Sequence, residues 1–465
     1  MMKSTIAAIS TPFGRGGIAV IRISGSDAFA VAERMFYPRS GKRLSDYSPN
    51  TAIYGDIVAD IGKIDDAVAV IFRAPRSFTG EDTVEISCHG GILLSERVLK
   101  TAFLCGAAPA GPGEFSQRAF LNGKLGLSEA EAVIGLINAE SEEKLRLYAS
   151  HASGALTRRT EELRASLLRL LSSVYVSLDY PDEDLREVSD DEFRAALDEI
   201  YGKLSESAET YREGKAVCEG VKTVLLGKPN TGKSSLMNAL LKKDRAIVTD
   251  MPGTTRDTIE ETVTAGRILL RLCDTAGIRS ENVGEAERLG INRTKRASEE
   301  AELVIAVFDL SSTPDEDDKQ IIKLLQRYAE SGKKIIAALN KTDVGTKEAE
   351  EAFLRELPGE VTVCRICAMR GEGVEALKKA AEELFSNGYT DYTSVAVIAN
   401  ARQFSAVCAA RDAVGRAMEA FDNGVGSDVC GLDLEAALAS LGEIDGRTAA
   451  EEITNEIFHS FCVGK

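Results

Sequence analysis

Gly227-Lys-Pro-Asn-Thr-Gly-Lys-Ser234 is the stretch on which the fold turns. The apolar run Val221 to Leu226 before it reads as a buried strand, and Leu236, Leu240 and Leu241 after it fall on one face of a helix. Strand, glycine-rich loop, Lys, Ser and helix make the phosphate-binding loop pattern. Glycines let successive backbone N–H groups turn inward around phosphate oxygens, and the helix start adds the positive end of its dipole. Lys233 would reach the β- and γ-phosphates, and the Ser234 hydroxyl would ligate Mg²⁺.

Two further motifs come in the order that a nucleotide-binding α/β sheet requires. Asp274-Thr-Ala-Gly277 closes the apolar run Ile268 to Cys273. Its Asp would hold Mg²⁺ through water and its Gly277 N–H would sense the γ-phosphate. Asn340-Lys-Thr-Asp343 closes the run Ile335 to Leu339. A carboxylate there can accept from both N1–H and N2–H₂ of guanine, a donor pair that adenine lacks, so the nucleotide is GTP. Ligands sit at the carboxyl ends of strands in open α/β sheets, where all three motifs fall. The loop Thr249 to Asp257 occupies the place of a first switch, with Thr255 as a second Mg²⁺ ligand. The GTP-binding set is then Asn230, Thr231, Gly232, Lys233, Ser234 and Ser235; Thr249, Thr254 and Thr255; Asp274, Thr275, Ala276 and Gly277; Asn340, Lys341 and Asp343; and Cys367 with Ala368.

Working outward, the 465 residues suggest about three domains. The strands Val221–Leu226, Ile268–Cys273, Leu303–Phe308, Ile335–Leu339 and Val361–Ile366 alternate with helical stretches, which specifies a mostly parallel sheet with helices on both faces over residues 217–386. Residues 1–122 look α+β: short β-rich runs at Ile6–Ile9, Ile18–Ile23, Thr51–Val58, Ala67–Phe72 and Thr83–Ser87, and helices at Asp27–Phe36 and Ile92–Cys105. Loops that mix Arg, Glu and Gly join them. They read either as ordinary turns or as a pocket for an anionic small molecule, with Arg22 and Lys124 as counter-charges. From Leu125 the pattern is helical. Leu163, Leu167, Leu170, Leu171 and Val174 form one stripe; Phe193, Leu197, Ile200, Leu204, Ala208 and Tyr211 form another. It is helical again from about Tyr389, with Ile453, Ile457 and Phe461 four apart on a final helix. One helical domain built from both flanks, with the nucleotide domain inserted, is the economical arrangement; two separate bundles are the other.

The net charge is −17, while the first 122 residues are close to neutral, which leaves the acidity on the remainder. Phosphate attraction needs a basic surface, so the chain as a whole is not a general nucleic-acid binder. No stretch approaches about 18 uncharged apolar residues and no apolar leader opens the chain, so it reads as cytoplasmic, without a membrane span. Nine scattered cysteines fit reduced thiols, and three histidines without ligand spacing give no zinc site. Cys364 and Cys367 read as structural. Composition alone makes Cys462 an inert, partly buried thiol.

Many GTPases carry a Gln just after the DTAG glycine to orient the attacking water. Here that position is Ile278, which cannot do so. Glu287 is the local candidate; the same position also suits a helix cap or a salt bridge. Positive charge is needed where phosphate charge builds up. Asn230, with backbone carbonyls of the Thr249–Thr254 loop, would hold a monovalent cation there, unless it only shapes the loop.

Along its whole length the chain resembles the MnmE (TrmE) tRNA-modification GTPases. The resemblance is carried by the Thr11–Gly17 loop with Ile21-Arg-Ile-Ser-Gly25, by Ser77-Phe-Thr-Gly-Glu-Asp82, His89-Gly-Gly91, Pro112-Gly-Glu-Phe-Ser116 and Arg118-Ala-Phe-Leu-Asn122, by Gly253-Thr-Thr-Arg-Asp257, and by Cys462-Val-Gly-Lys465. Era-like GTPases share the phosphate loop but not this last motif. The resemblance implies an α+β multidomain chain: an N-terminal folate-binding and dimerisation domain at 1–122, a helical bundle at 123–216 plus 387–465, and an inserted P-loop GTPase α/β domain at 217–386. It implies a 5-formyl-tetrahydrofolate contacted by Arg22, Glu85, Lys124 and Lys465, and a K⁺ site at Asn230, Thr249, Met251 and Thr254. It also implies a catalytic Glu287 and a functional Cys462 thiol. The implied assembly is a homodimer acting with an FAD-carrying MnmG-type partner on tRNA, adding a carboxymethylaminomethyl or aminomethyl group to the wobble uridine. One departure stands out: Cys367-Ala-Met369 replaces the usual Ser-Ala of the loop behind guanine, so the backbone N–H contact to guanine O6 can survive while the resemblance does not carry over a side-chain contact. An Era-like regulatory or ribosome-assembly GTPase, and a folate enzyme with a merely regulatory GTPase, are the competing readings; the acidic balance and the Cys462–Lys465 motif speak against the first.

Overall fold

Alternating buried and solvent-facing side chains build the first sheet. In the computed structural model, which describes residues 4–179, 189–243, 261–273, 299–386 and 395–465, this sheet belongs to a compact unit of residues 1–134 and 441–465. Its strands are β1 (Ile6–Ile9), β2 (Ile18–Ser24), β3 (Phe36–Pro38), β4 (Ala52–Ala59), β5 (Gly62–Phe72), β6 (Thr83–His89) and β7 (Ala108–Pro109), in the order β3-β4-β5-β6-β2-β1-β7. All neighbours are antiparallel except β1 and β7. On β2, Ile21 and Ile23 are fully buried under Ala28–Glu33 and Ile92–Leu104. Arg22 between them must face the other side of the sheet, because side chains alternate along a strand. There it pairs in register with Ala8 and Glu85, beside a small cluster of Ile6, Ala8, Ala110 and Phe115.

Two expectations fail here. The helix expected to reach Phe36 ends at Glu33, and Phe36 opens β3 opposite Ile57. Burying Phe36 in the sheet core outweighs one more helical turn, and Pro38 cannot continue a helix. The final helix is Glu451–His459, with Phe461 beyond it. Among its described side chains Thr454 and Phe458 are buried, while Ile453 is exposed. Phe458 and Phe461 pack with Leu127, Ala130 and Phe120.

The second compact unit is residues 135–440. It contains β8 (Val221–Leu226), β9 (Glu261–Ala265), β10 (Ile268–Leu272), β11 (Leu303–Asp309), β12 (Lys334–Asn340) and β13 (Thr362–Arg365), in the order β13-β12-β11-β8-β10-β9. Every pairing is parallel except β9 with β10. Strand β9, too polar to read as a run, is held by the hairpin through Gly266, where φ is +58°. Along β11 alternate residues serve opposite faces. Ile305 and Val307 meet Leu236, Leu240 and Leu377; Val304, Ala306 and Phe308 meet Ile322, Leu325 and Phe353. Helices Lys233–Lys243 and Val374–Phe385 thus cover one face, and Glu316–Glu330 and Lys347–Glu356 the other.

The remaining helices of this unit come from both flanks of that sheet. Asp190–Glu209 packs on Ala401–Asp422, with Phe193 and Phe421 ring centroids 4.9 Å apart. The two stripes read from the sequence are buried, except that Tyr211 starts a separate helix, Tyr211–Cys218, and stacks on Phe404 at 4.2 Å. Among the described residues no helix is long and apolar enough to cross a membrane. The chain is therefore a mixed α/β multidomain protein with a substantial helical part.

Candidate functional site

The carboxyl end of β8 runs into the glycine-rich loop. Gly227 has φ +151° and no room for a side chain: a Cβ would lie 2.5 Å from the Val307 carbonyl oxygen. Asn230 is exposed in a left-handed conformation with φ +65°, which Asn tolerates better than most residues. Thr231 is fully buried and its Oγ1 donates to the Lys228 carbonyl at 3.0 Å. Lys233 opens the following helix, and its Nζ donates to the carbonyls of Gly227 at 2.7 Å and Lys228 at 2.8 Å. Burial lowers its pKa from the ordinary lysine value. Both of these partners are neutral carbonyls, so these two contacts leave the charge of the group uncompensated. Ser234 is exposed and Ser235 half-buried on the first helical turn.

Asn340, at the end of β12, ties three segments together. Its Nδ2 donates to the Thr231 carbonyl at 2.7 Å, and its Oδ1 accepts from the Ala368 N–H at 2.9 Å. Both atoms of a nearly buried amide are used, which sets the distance between the glycine-rich loop and the Cys367–Ala368 turn. Gly232 must be glycine for the same reason, since a Cβ would stand 2.2 Å from Asn340 Nδ2. Lys341 adopts φ +64° and donates to Asp309 Oδ2 at 2.6 Å. Burial is the strongest single influence and would raise the Asp309 carboxyl, but the hydrogen bonds from Lys341 and Ser311 together outweigh it and hold the group below its ordinary value. Strain at a non-glycine residue persists where surrounding contacts demand it, and such residues cluster at ligand sites. Asp343 lies 3.4 Å from the Arg370 guanidinium.

The structure thus brings together Asn230 through Ser235, Asn340, Lys341, Asp343, Cys367 and Ala368. Thr249, Met251, Thr254, Thr255, Asp274, Thr275, Ala276, Gly277 and Glu287 lie outside the described residues. Two further groups of the site carry little signal in the sequence. Asp309 is marked only as a carboxylate ending an apolar strand. Lys228, inside the motif itself, pairs with Asp315 at 2.6 Å and Asp318 at 2.7 Å.

A second polar site lies in the first unit, on the face of β2 away from the main core. Arg22 Nε donates to Glu85 Oε1 at 2.8 Å, and the guanidinium stands over the rings of Phe78 and Phe115 at 5.2 and 5.4 Å. The segment Cys462–Lys465 docks beside it. Phe115 N–H donates to the Lys465 carbonyl at 3.2 Å, and Ser10 Oγ donates to the Gly464 carbonyl at 2.9 Å. Gly464 has φ +101° and would place a Cβ 2.2 Å from the Ile9 carbonyl oxygen, so only glycine fits. Burial lowers the Lys465 pKa, the Arg22 charge lowers it further, and Glu85 acts in opposition. Arg22, Glu85 and Lys465 are therefore electrostatically coupled. Lys124 instead donates to the Pro75 carbonyl at 2.9 Å. Cys462 is exposed, contrary to the partly buried thiol expected from composition, because Phe461 and Gly464 take the buried positions of the segment.

Comparison with known proteins agrees over the full length. The family model described as GTP-binding protein TrmE N-terminus matches residues 5–124, and that described as MnmE helical domain matches residues 127–462. The tRNA modification GTPase MnmE of Thermotoga petrophila is 40% identical over 465 residues, covering 99% of this chain and 100% of that protein. The protein of the same name from Acetivibrio thermocellus is 39% identical over 465 residues, covering 100% and 99%. A crystal structure of Aquifex aeolicus Era bound to GDP and AlF4⁻ matches 41% of this chain and 65% of that one at 23% identity, with a TM-score of 0.27, too low to indicate a shared overall architecture. With both family models and relatives at this identity spanning it end to end, the chain belongs to the MnmE (TrmE) family of tRNA modification GTPases.

Proposed function

We propose that this chain hydrolyses GTP and couples the cycle to modification of tRNA. Family membership supports the reading, and one observation carries it: Asn340 joins the Thr231 carbonyl to the Ala368 N–H, so the phosphate loop and the base-reading motif share one frame. A nucleotide lying across that frame has its phosphates at Lys233 and its base at Asp343. Lys233 would exchange its carbonyl partners for, or share them with, the β- and γ-phosphates. Ser234 and Thr255 would ligate Mg²⁺, with Asp274 behind a water and Gly277 at the γ-phosphate. Asp343 would accept from guanine, and the Ala368 N–H, which donates to Asn340 Oδ1, would be shared with the guanine O6. The remaining nucleotide contacts are assigned to Asn230, Thr231, Gly232, Ser235, Thr249, Thr254, Thr275, Ala276, Asn340, Lys341 and Cys367.

In this reading Glu287 orients the attacking water in place of the absent Gln. Asn230, Thr249, Met251 and Thr254 hold K⁺ against the triphosphate. Residues 217–386 form the GTPase domain, 123–216 with 387–465 the helical domain, and 1–122 the folate-binding and dimerisation domain. Arg22, Glu85, Lys124 and Lys465 contact 5-formyl-tetrahydrofolate, and Cys462 serves the modification step. The chain acts as a homodimer with an FAD-carrying MnmG-type partner, and the product is a carboxymethylaminomethyl or aminomethyl group on the tRNA wobble uridine.

Phosphate release measured in matched K⁺ and Na⁺ salts tests the first half. Turnover should be faster in K⁺, because the smaller ion cannot satisfy the same carbonyl cage; equal rates remove the Asn230 assignment. Nucleoside analysis of tRNA from cells lacking the gene tests the second half, and an intact wobble modification would refute it.

A further inference from the structure

We propose that Lys228, Asp315 and Asp318 form a strut that holds the phosphate loop in its binding shape, which makes Lys228 and Asp318 positioning residues for the nucleotide. The inference rests on the assignment of the loop to GTP and adds residues to it that the motif itself does not specify. Lys228 Nζ lies 2.6 Å from Asp315 Oδ2 and 2.7 Å from Asp318 Oδ2. The backbone carbonyl of the same residue accepts from Lys233 Nζ at 2.8 Å and from Thr231 Oγ1 at 3.0 Å. One peptide therefore fixes the lysine aimed at phosphate, and its side chain fixes that peptide to a different element, the start of helix Glu316–Glu330.

Helix capping does not account for this arrangement. Asp315 and Asp318 do make a reciprocal capping box, Asp318 N–H to Asp315 Oδ1 at 3.0 Å and Asp315 N–H to Asp318 Oδ2 at 3.2 Å. A cap works equally well in water. Yet Asp318 is 1% exposed, and its Oδ1 has no hydrogen-bond partner. Burying a carboxylate with one oxygen unsatisfied is costly, and it persists where a paired cation repays it. That cation is Lys228, and the pair is where the loop meets the helix. A second lysine of the site, Lys341, is held in the same way by Asp309 at the end of β11. The connection from Asp309 to Asp318 thus supplies carboxylates to both the phosphate loop and the base-reading motif.

The test uses the full chain and its affinity for GDP and for a non-hydrolysable GTP analogue, measured by titration calorimetry well below the melting temperature. Lys228→Met and Asp318→Asn should each weaken binding about tenfold, the scale of one charge-assisted hydrogen bond. Asn keeps an acceptor for the cap, so the helix survives in that variant. The double variant should be no weaker than either single, because both break one strut. Lys228→Arg should bind within about threefold of the unaltered chain, since it keeps the charge. Affinities unchanged while the melting temperature falls would overturn the proposal, leaving the triad as a fold element only. Fully additive losses in the double variant would overturn it as well. Absence of nucleotide binding by the unaltered chain would overturn both this inference and the function on which it rests; normal binding there with unaffected variants overturns the strut alone.

Discussion

Lys233 and Arg22 are both drawn out of water beside glycine-rich segments, and their partners differ in kind. Among the described residues Lys233 is held by two neutral carbonyls, which do not compensate its charge. Arg22 is held by the carboxylate of Glu85, and the positive charge left over sits on the half-buried Lys465. A site built the first way suits a ligand that brings several negative charges of its own. A site built the second way presents a carboxylate acceptor, guanidinium donors and aromatic walls, and suits a flat ligand with few charges. On the proposed function, this contrast would let one chain separate phosphate chemistry from small-molecule recognition.

Several substitutions would break or sharpen this contrast. The largest effect belongs to Asp343→Asn. It removes the acceptor pair for guanine and places an amide donor there, so GTP affinity should fall about a thousandfold, while xanthosine triphosphate, whose base carries a carbonyl where guanine carries an amine, becomes the better substrate. Competition between the two nucleotides in a hydrolysis assay would read this directly, and unchanged selectivity would remove Asp343 from the base site. Next, Lys233→Ala should lower GTP turnover about a hundredfold by removing the cation that faces the phosphates. Phosphate release under saturating nucleotide is the measurement. A comparable loss from Lys228→Met would mean that the strut matters as much as the phosphate lysine it positions.

In the first unit the expected effects are smaller. Gly464→Ala forces a Cβ to 2.2 Å from the Ile9 carbonyl at φ +101°, so the Cys462–Lys465 segment should undock. The cost should be about 1–3 kcal/mol, the range for backbone strain of this kind, visible as a lower melting temperature and weaker folinate binding. The smallest effect concerns Lys465 and pH. Its pKa in the folded chain is lowered from 10.5, chiefly by burial. Between that lowered value and 10.5 the unfolded chain binds the extra proton, so stability rises with pH across that window. At neutral pH the buried charge is fully unfavourable. Lys465→Met should therefore melt slightly higher than the unaltered chain at neutral pH, and the gap should close as pH approaches 10.5. A gap independent of pH would show that lost packing, not charge, sets the difference.

Much of the second unit is legible in the sequence because its motifs are local. Gly227 to Ser234 and Asn340 to Asp343 each end a strand, and strand, turn and helix are specified within a few residues of one another. The runs at Val221–Leu226 and Leu303–Phe308 appear in the sheet almost unchanged, since strands buried on both faces are mainly apolar; Lys222 is the one exposed residue of the two. Strand β9 is not legible, because Glu261-Thr-Val-Thr-Ala265 has no apolar run; it pairs at a sheet edge, where Thr262 and Thr264 are only half-buried. The helix expected to end at Phe36 fails for the opposite reason: a local pattern is overruled by burial against Ile57, a partner 21 residues away. The nearness of Asn340 to Thr231 and of Lys228 to Asp318 has no local signal at all, because each pair joins residues about a hundred positions apart.

By itself the sequence determined which residue types meet phosphate, which strands are buried, and that guanine is the base to be read. Those properties follow from side-chain chemistry and short-range backbone geometry, which neighbours along the chain specify. Only the tertiary structure decided that Arg22 is neutralised by Glu85, that Gly464 admits no other residue, and that Lys228 is pinned by a buried carboxylate. Each of these depends on which distant backbone comes within hydrogen-bonding range, and that is set by the packing of whole elements.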